Sequence, residues 1–264
     1  MKVRTLVTLF LAVLAAAPAL SEESTGELAK AAQNPIASLI SVPIQSNNDF
    51  DWGPGGGWFS VNNVQPVIPF KLNDDWNVVT RTILPIITQP EVLPGQGRET
   101  GIGDTLFTAF FVPESSGEWT WGVGPAIQLP TASDSRLGRD EWAAGASFVA
   151  LTMPGRWVVG GLVSNLWGIS TAPGNEINFF TLQPFVNYNL DRGWYLVSAP
   201  IITADWEASG GNRWTVPLGG GFGRVFAMGR QPVNAQVQAF YNVEKTDIAG
   251  DWGLRLQFQL MFPK

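Results

Sequence analysis

Hydrophobic and polar residues alternate with a period of two along most of the chain that follows Pro35. The last segment shows this pattern most clearly. Its apolar face carries Trp252, Leu254, Leu256, Phe258, Leu260 and Phe262, and its other face carries Gly253, Arg255, Gln257 and Gln259. A period of two is that of a β-strand, whose successive side chains point to opposite faces. These segments are therefore predicted to be strands.

Two kinds of connection, long loops and short turns, separate the predicted strands. Long stretches rich in Gly and Asp fall at 47–57, 88–100, 131–141, 170–176, 207–212 and 244–250. Short turns fall between them at 73–75, 114–117, 154–155, 191–193 and 229–230. The segments between are about 10–15 residues long, and there are about twelve of them, so one hairpin repeats roughly every forty residues. An even number of strands places both ends of the barrel chain on one side.

Two architectures produce this alternation. A soluble sandwich or barrel turns its polar face to water, whereas a transmembrane barrel turns its apolar face to lipid. Strand length, the regular alternation of long loops with short turns, and a polar face rich in Gln, Asn, Gly and Ser favour the membrane. We predict an all-β fold, a transmembrane antiparallel up-and-down β-barrel of about 12 strands with a short N-terminal helical segment.

The twelve tryptophans divide completely between the two kinds of connection. Beside or within the long loops lie Trp52, Trp58, Trp142, Trp167, Trp206, Trp214 and Trp252. Beside the short turns lie Trp76, Trp119, Trp121, Trp157 and Trp194. Because Trp prefers the headgroup level of a membrane, this division predicts two aromatic girdles, one at each interface.

The first residues have the pattern of a secretory signal peptide, with Lys2 and Arg4 before a short apolar run. We expect a signal peptide over 1–21, cleaved after Ala19 or Ser21, and export through the Sec pathway; a membrane anchor is the alternative. Residues 22–35 are predicted to form a short periplasmic helical segment. Residues 36–264 are predicted to form the barrel.

The amino-acid composition excludes several classes of active site and metal site. The chain has no His and no Cys, which excludes a Ser-His-Asp triad, a thiol nucleophile and imidazole or thiolate ligation of a metal. A formal net charge of -6 argues against a nucleic-acid partner. We therefore expect no enzyme activity, no cofactor and no metal site. The acidic loop residues Asp134, Asp140 and Asp247 are expected to be solvated charges, with binding of Ca²⁺ or of bridged lipopolysaccharide as the alternative.

Charged residues within the strands are few. Arg81 has the opposite parity to its apolar neighbours and is predicted to face the lumen, because exposing Arg to lipid near the midplane costs about 2–4 kcal/mol. Asp104 is its expected partner. The other candidates for lining a permeation path are Gln65, Gln128, Gln183, Asn187, Gln236, Gln238 and Arg255. The alternative is that these groups only fill a narrow barrel.

Two features of one strand stay open. Arg224 is an even number of residues from Trp214 and Phe222, so a regular strand would place it on the same face as these aromatic side chains. Either the face that Arg224 occupies is ambiguous or the strand contains a bulge. Four glycines at 219–221 and 223 make room for a permeant or for the N-terminal segment, or else they mark a bend or close packing. Prolines on the strands predict local bulges or kinks.

The chain resembles the Gram-negative outer-membrane family named for the MetA-pathway of phenol degradation, over roughly 27–264. The stretches that carry the resemblance are LAKAAQNPIASLISVPIQSNNDFDWGPG (28–55), NVQPVIPFKLNDDWNVVTRTILPII (63–87), GIGD (101–104), GPAIQLPTASDSRLG (124–138), LQPFVNYNL (182–190), RWTVPL (213–218) with GRQPVN (229–234), and DWGLRLQFQLMFPK (251–264). The resemblance implies an outer-membrane barrel with a transport role and supplies no catalytic residue. The final strand, with Phe262 near its end, also resembles the signal read by the barrel assembly machinery.

Together the pattern and the resemblance predict a channel in the Gram-negative outer membrane. It is expected to pass small solutes, hydrophobic or aromatic molecules among them, by passive diffusion through the lumen. The alternative is a structural or surface-interaction barrel whose loops do the work. The expected partners are outer-membrane lipid, lipopolysaccharide and the assembly machinery; the permeant is left open.

Overall fold

The structure, a computed structural model, describes residues 22–115, 117–169 and 176–263. The predicted signal peptide lies outside the described residues. One α-helix, α1 (Glu22–Gln33), precedes fifteen strand segments. These are β1 (Ile40–Trp52), β2 (Gly57–Val64), β3 (Val67–Lys71), β4 (Trp76–Gln89), β5 (Glu99–Ile102), β6 (Thr105–Pro113), β7 (Trp119–Leu129), β8 (Ala143–Thr152), β9 (Trp157–Gly168), β10 (Asn178–Asn189), β11 (Trp194–Ser198), β12 (Ile202–Asp205), β13 (Trp214–Met228), β14 (Gln231–Glu244) and β15 (Trp252–Phe262).

The segments form one closed antiparallel sheet. Three pairs of segments, β2 with β3, β5 with β6, and β11 with β12, share neighbours and are successive parts of one crossing of the wall. The fifteen segments therefore make twelve crossings in sequence order. β1 pairs with β15 from Ile40 opposite Phe262 to Phe50 opposite Trp252, which closes the barrel. The predicted twelve-stranded up-and-down transmembrane barrel is confirmed.

The two faces of the wall follow the predicted alternation. On β15, Trp252 and Phe262 are exposed on the outside, whereas Arg255 and Gln259 are buried on the inside. On β7, Trp119 and Val123 are exposed and Ala126 is buried. Apolar side chains on the outer surface match the lipid-facing band of a transmembrane barrel.

The tryptophans form the two predicted girdles, with one exception. Seven of them are exposed on the outer surface: Trp58, Trp142, Trp167, Trp206 and Trp252 at the rim with the long loops, and Trp119 and Trp157 at the rim with the short turns. Trp52 instead stacks on Phe59, with ring centroids 4.2 Å apart. Phe59 pairs with Asp49 on the lumenal face of the wall, so Trp52 closes part of the barrel mouth.

The first connection is shorter than the sequence predicts. A long loop was expected over 47–57, but β1 continues to Trp52 and only residues 53–56 form the turn. Gly53 and Gly56 both adopt positive φ, which glycine tolerates without steric cost and which lets the chain reverse tightly. The Gly and Asp residues here thus shape a tight turn rather than a long loop.

Some prolines mark the predicted irregularities. Pro66 lies between β2 and β3, and Pro200 lies between β11 and β12, so each interrupts a crossing of the wall. A register shift between β13 and β14 falls at Val216 and Pro217. Pro125 and Pro184 instead sit in strands of unbroken register. Proline removes one ladder hydrogen bond, which a strand accommodates best at such breaks.

Helix α1 is the predicted N-terminal helical segment, and it contacts β10, β13 and the short 3-10 turn at Asp191–Gly193. It therefore lies at the rim that carries the short turns. Within the described ranges, no helix is long and apolar enough to cross a membrane.

Candidate functional site: the barrel lumen

The N-terminal segment enters the barrel rather than lying before it. Ala29 of α1, with Ile36 and Leu39 from the stretch that follows, is buried in the main apolar cluster of the protein. Gln33 and Asn189 exchange two hydrogen bonds between their side-chain amides, Gln33 Nε2 to Asn189 Oδ1 at 2.8 Å and Asn189 Nδ2 to Gln33 Oε1 at 3.3 Å. The segment thus fills the lumen near the rim with the short turns.

The wall opposite this segment is apolar. Val79, Phe110, Val149, Leu151 and Val158 are buried in the same cluster. The alternation predicts an evenly polar lumen, and the structure corrects this for the half of the barrel that holds the N-terminal segment. Apolar side chains face inward there because they pack against the segment instead of facing water.

A cavity of about 130 Å³ lies above the N-terminal segment. Ten of its 24 lining residues are Gln or Asn, and eleven are apolar. The polar lining residues are Gln33, Asn34, Ser41, Gln45, Gln65, Arg81, Gln183, Asn187, Tyr195, Asn234, Gln236, Gln257 and Gln259. Five of the nine residues predicted from sequence are in this set: Arg81, Gln65, Gln183, Asn187 and Gln236. A cavity of this composition would take a small molecule that has both polar and apolar parts.

Arg81 projects from β4 into this cavity. Its Nη2 donates to Gln65 Oε1 at 2.5 Å, and Gln65 Nε2 donates to Gln45 Oε1 at 2.8 Å. The chain of three side chains runs from β4 across the β2–β3 break to β1. It fixes the guanidinium at the cavity wall, and the lumenal facing agrees with the parity of Arg81 in the sequence.

A second polar chain crosses the facing wall. The hydroxyl of Tyr195 donates to Asn234 Oδ1 at 2.6 Å, and Asn234 Nδ2 donates to Gln259 Oε1 at 3.1 Å. Tyr195, Asn234 and Gln259 are all buried. Buried polar groups are stable only when their hydrogen bonds are made, so this chain gives the wall a defined arrangement of donors and acceptors.

Gln238 and Arg255 do not line the cavity themselves, and both bond to the backbone of Ala199, which does. Gln238 Oε1 accepts a hydrogen bond from Ala199 N at 3.0 Å, and Arg255 Nη1 donates to Ala199 O at 2.6 Å. Ala199 lies in the break between β11 and β12, where ladder hydrogen bonds are lost. The two side chains therefore satisfy the backbone groups that the break exposes. A role for them in permeation stays a prediction.

Asp104 does not pair with Arg81, and that expectation is wrong. Its carboxylate accepts from the backbone N–H groups of Ala132 at 3.2 Å and of Arg139 at 2.7 Å. Gln128 Nε2 also donates to it, at 3.4 Å. Asp104 follows the β5–β6 break near the rim with the long loops, whereas Arg81 lies near the middle of β4. The two charged groups therefore lie at different heights along the barrel axis and do not meet.

The loop between β7 and β8, residues 130–142, folds into the barrel mouth. We call it the mouth loop. Leu137 at its centre is 3% exposed, and Arg139 forms an ion pair with Asp205 on β12. Arg136 pairs with Asp134 at 2.9 Å and also with Glu99. The hydrogen bonds from Arg136 hold the pKa of Asp134 below its ordinary value of 3.8.

Three acidic loop residues, Asp134, Asp247 and Asp251, have protein partners. Asp134 pairs with Arg136, Asp251 pairs with Lys245 at 2.6 Å, and Asp247 Oδ2 accepts from Asn212 Nδ2 at 2.7 Å. In the part of the chain that the structure describes, no group of three or more Asp and Glu residues is placed to hold a metal ion.

The glycine-rich part of β13 allows close packing. A Cβ on Gly223 would lie 2.3 Å from the ring of Tyr195, and a Cβ on Gly221 would lie 1.8 Å from the carbonyl oxygen of Val237. The glycines thus let Tyr195 lie against the wall and let the strands approach closely. This is the close packing that is one of the two interpretations of the glycine pattern in the sequence. Arg224 pairs with Trp194 on the outer face, with its guanidinium 5.3 Å from the indole centroid.

Several lining residues were missed by sequence reasoning. Asn234, Gln257 and Gln259 share the polar faces that the alternation identifies, but nothing in the pattern gives their height in the barrel. Gln45 and Tyr195 were not selected at all. Tyr195 is two residues from Val197 in the short strand β11, so both side chains point into the barrel. The size and aromatic character of Tyr195 instead favour a position in a girdle.

The closed barrel, its apolar outer band and its polar interior define this protein as a transmembrane β-barrel of the outer-membrane type. The family described as MetA-pathway of phenol degradation matches residues 48–258. The chain belongs to that family.

Two solved structures are similar to this chain, and the first of them shows the same fold. An outer membrane channel from Pseudomonas putida F1 is similar with a TM-score of 0.66 and 16% sequence identity, over 87% of this chain and 97% of that one. A FadL homologue from Pseudomonas aeruginosa is similar with a TM-score of 0.48 and 12% identity, over 88% of this chain and 93% of that one. No curated protein matches the sequence significantly.

Proposed function

We propose that the protein is an outer-membrane channel that passes small solutes through its lumen by passive diffusion. The observation that carries the proposal is the cavity of about 130 Å³ inside a closed barrel, lined by amide side chains and bounded by apolar ones. A barrel that served only as a scaffold would need no such cavity. Solutes with an aromatic or apolar body and one polar group fit this lining best.

The proposed path runs from the barrel mouth, past the mouth loop, to the cavity and then past the N-terminal segment. Neither obstacle is a strand of the wall, although Ser133 N in the mouth loop donates to Ile102 O of β5 at 2.9 Å. Either can move without opening the sheet, because the ladder hydrogen bonds of the barrel do not include them. Displacement of the N-terminal segment is the step that connects the cavity with the other side.

The proposed setting is the outer membrane of a Gram-negative cell, reached through the Sec pathway. The exposed apolar band supports lipid as the surrounding medium, and Arg98 beside Trp58 at the rim with the long loops, 5.9 Å from the ring, suits contact with lipopolysaccharide. β15 completes the sheet by pairing with β1, which fits recognition of the last strand by the assembly machinery. The protein is proposed to have no catalytic role, in keeping with its lack of His and Cys.

Liposome swelling with the purified mature protein tests the channel. Proteoliposomes in iso-osmotic solutions of small neutral solutes should swell faster than protein-free liposomes, and the rate should fall as solute size rises. A properly folded barrel that admits none of a size-graded panel would overturn the proposal. Trimming the loops should alter the rate, whereas a surface-interaction barrel would lose only its binding partner.

A further inference from the structure

The charges around the cavity are unbalanced. Of the described residues that line it, Arg81 alone has a charged side chain. The ion pairs found among the described residues do not include it. Its one hydrogen bond goes to the neutral amide oxygen of Gln65. A guanidinium has five N–H donors, so most of them are left for whatever occupies the cavity.

Arg255 shows by contrast what a structural arginine looks like in this lumen. Its guanidinium donates to Asn47 Oδ1 at 2.8 Å and to Ala199 O at 2.6 Å. It also lies 4.9 Å from the ring centroid of Phe240, and the carboxylate of Asp49 is near enough to interact with its charge. Arg81 has none of these partners, so filling the barrel does not account for its charge.

The physical cost of this arrangement points to an anion. A charge removed from bulk water is destabilising unless an opposite charge or several hydrogen bonds replace the lost solvation. Gln65, held in turn by Gln45, orients the guanidinium but does not neutralise it. Carboxylate is the small organic anion that best matches the forked donors of arginine, because both oxygens can accept parallel hydrogen bonds.

The wall opposite Arg81 supplies an apolar surface. β11 is half-way around the twelve crossings from β4, so Val197 faces Arg81 across the lumen. Phe185 of β10 and Leu162 of β9 lie beside it in the cavity lining. The cavity of about 130 Å³ is close in size to the engineered cavity of about 150 Å³ that binds benzene. One aromatic ring therefore fits between this surface and the guanidinium.

We propose that the cavity selects small monocyclic aromatic carboxylates, with Arg81 holding the carboxylate and Leu162, Phe185 and Val197 contacting the ring. The proposal rests on the channel function for its biological meaning, but binding to the cavity needs no passage. Asn187 and Gln236, whose amides line the same cavity on the side away from Arg81, are placed to donate to a ring substituent.

Equilibrium binding of benzoate, with benzyl alcohol as its neutral counterpart, tests the site on the purified full-length barrel in detergent. Wild type should bind benzoate more tightly than benzyl alcohol, and added sodium chloride should weaken only benzoate. Arg81→Gln should weaken benzoate binding about tenfold, the usual effect of losing a charged hydrogen bond, and leave benzyl alcohol within about twofold. Lys71→Gln removes an equal charge from an exposed site and should change neither.

Arg81→Lys keeps the charge and should retain part of the preference, which guards against failure of Arg81→Gln to fold. Equal binding of the two ligands by wild type, or unchanged benzoate binding by folded Arg81→Gln, would overturn the site. Swelling assays with the same two solutes separate the proposals. Entry of both solutes at equal rates in wild type and Arg81→Gln keeps the channel and removes the selection. Binding without entry keeps the site and counts against the channel.

Discussion

At the scale of single residues, position along the strand decides what a polar side chain does. Asp104 and Arg81 both face inward, yet one anchors the mouth loop and the other faces the cavity. The carboxylate of Asp104 is occupied by backbone donors from Ala132 and Arg139. A Cβ on Gly138 would approach its Cγ to 2.7 Å, so the loop backbone packs directly on the carboxylate. Asp104 is therefore one of the residues that hold the mouth loop inward, together with the ion pairs of Arg136 and Arg139.

Asp104→Asn should release the mouth loop while leaving the barrel folded. Asn keeps one accepting oxygen, but its amide nitrogen cannot accept the second backbone N–H, and a hydrogen bond to a charged acceptor contributes about 1.5–3 kcal/mol. Limited proteolysis should cut within 130–142 roughly tenfold faster than in wild type. Asp140→Asn, the same change at an exposed position of the same loop, is the matched control. Equal cleavage of the two variants would show that Asp104 does not hold the loop.

The mouth loop should also keep its Asp134–Arg136 pair in mildly acidic solution. A carboxyl whose folded pKa lies below its unfolded value stabilises the folded form above the unfolded value, and this contribution is lost as pH falls through the folded pKa. Because the pKa of Asp134 lies below 3.8, the pair should persist down to that pH and break only below it. Carboxyl-carbon NMR titration measures this. Arg136→Gln should raise the pKa of Asp134; identical titrations would contradict the assignment.

At the scale of elements, breaks in the strands require side-chain support. The gap between β11 and β12 is bridged by Gln238 and Arg255, and the gap between β2 and β3 is bounded by Gln65. On β13 the side chain of Tyr195, from β11, needs space, and Gly223 provides it because the tyrosine ring lies over this glycine. Each of these irregularities is thus accompanied by a particular side chain, in the break itself, on the adjoining strand or further around the wall.

Gly223→Ala should destabilise the barrel by about 1–3 kcal/mol, the usual effect of overpacking a filled site. The new methyl would overlap the ring of Tyr195, which is fully buried and is held by its hydrogen bond to Asn234. Urea unfolding in detergent measures the loss. Gly211→Ala, where no atom lies within 4 Å of the new Cβ, should have little effect. In a Tyr195→Leu background Gly223→Ala should add much less; an undiminished effect there would point to the backbone instead.

At the scale of the whole molecule, the barrel wall and the material inside it are separate structures. The wall is closed by strand pairing alone. The lumen is filled from one end by α1 with residues 34–39 and from the other by the mouth loop. This separation lets the wall stay rigid in the membrane while the contents move.

Removing residues 22–35 should raise solute uptake several-fold without unfolding the barrel. The deleted segment blocks the end of the lumen next to the cavity but contributes no strand to the wall. Liposome swelling measures the gain, and heat-dependent migration on gels checks the fold. Glu27→Ala, which changes an exposed side chain of α1, should leave uptake at the wild-type rate. Unchanged uptake by a folded deletion variant would mean that the segment does not limit passage.

Much of the fold could be predicted because the relevant information is local. The parity of Arg81 against Val78 and Leu84 predicts its facing, and the order of long loops and short turns predicts the topology. The candidate site was predicted only in part. Gln183, Asn187 and Gln236 line the cavity, but Gln238 and Arg255 on the same face bond instead to Ala199 in a strand break. Alternation along a strand tells which face of the sheet a side chain occupies. It does not tell which break in another strand lies next to that side chain.

The sequence by itself determined the twelve crossings, the apolar exterior, the tryptophan girdles and the inward facing of Arg81, since each follows from a period of two and from the preferences of single residues. Only the tertiary structure decided that Asp104 bonds to the mouth loop, that Trp52 turns inward and that α1 fills the lumen. Closing a sheet into a barrel sets strand tilt and stagger together. The height of each inward side chain, and hence its partner, exists only once the barrel has closed.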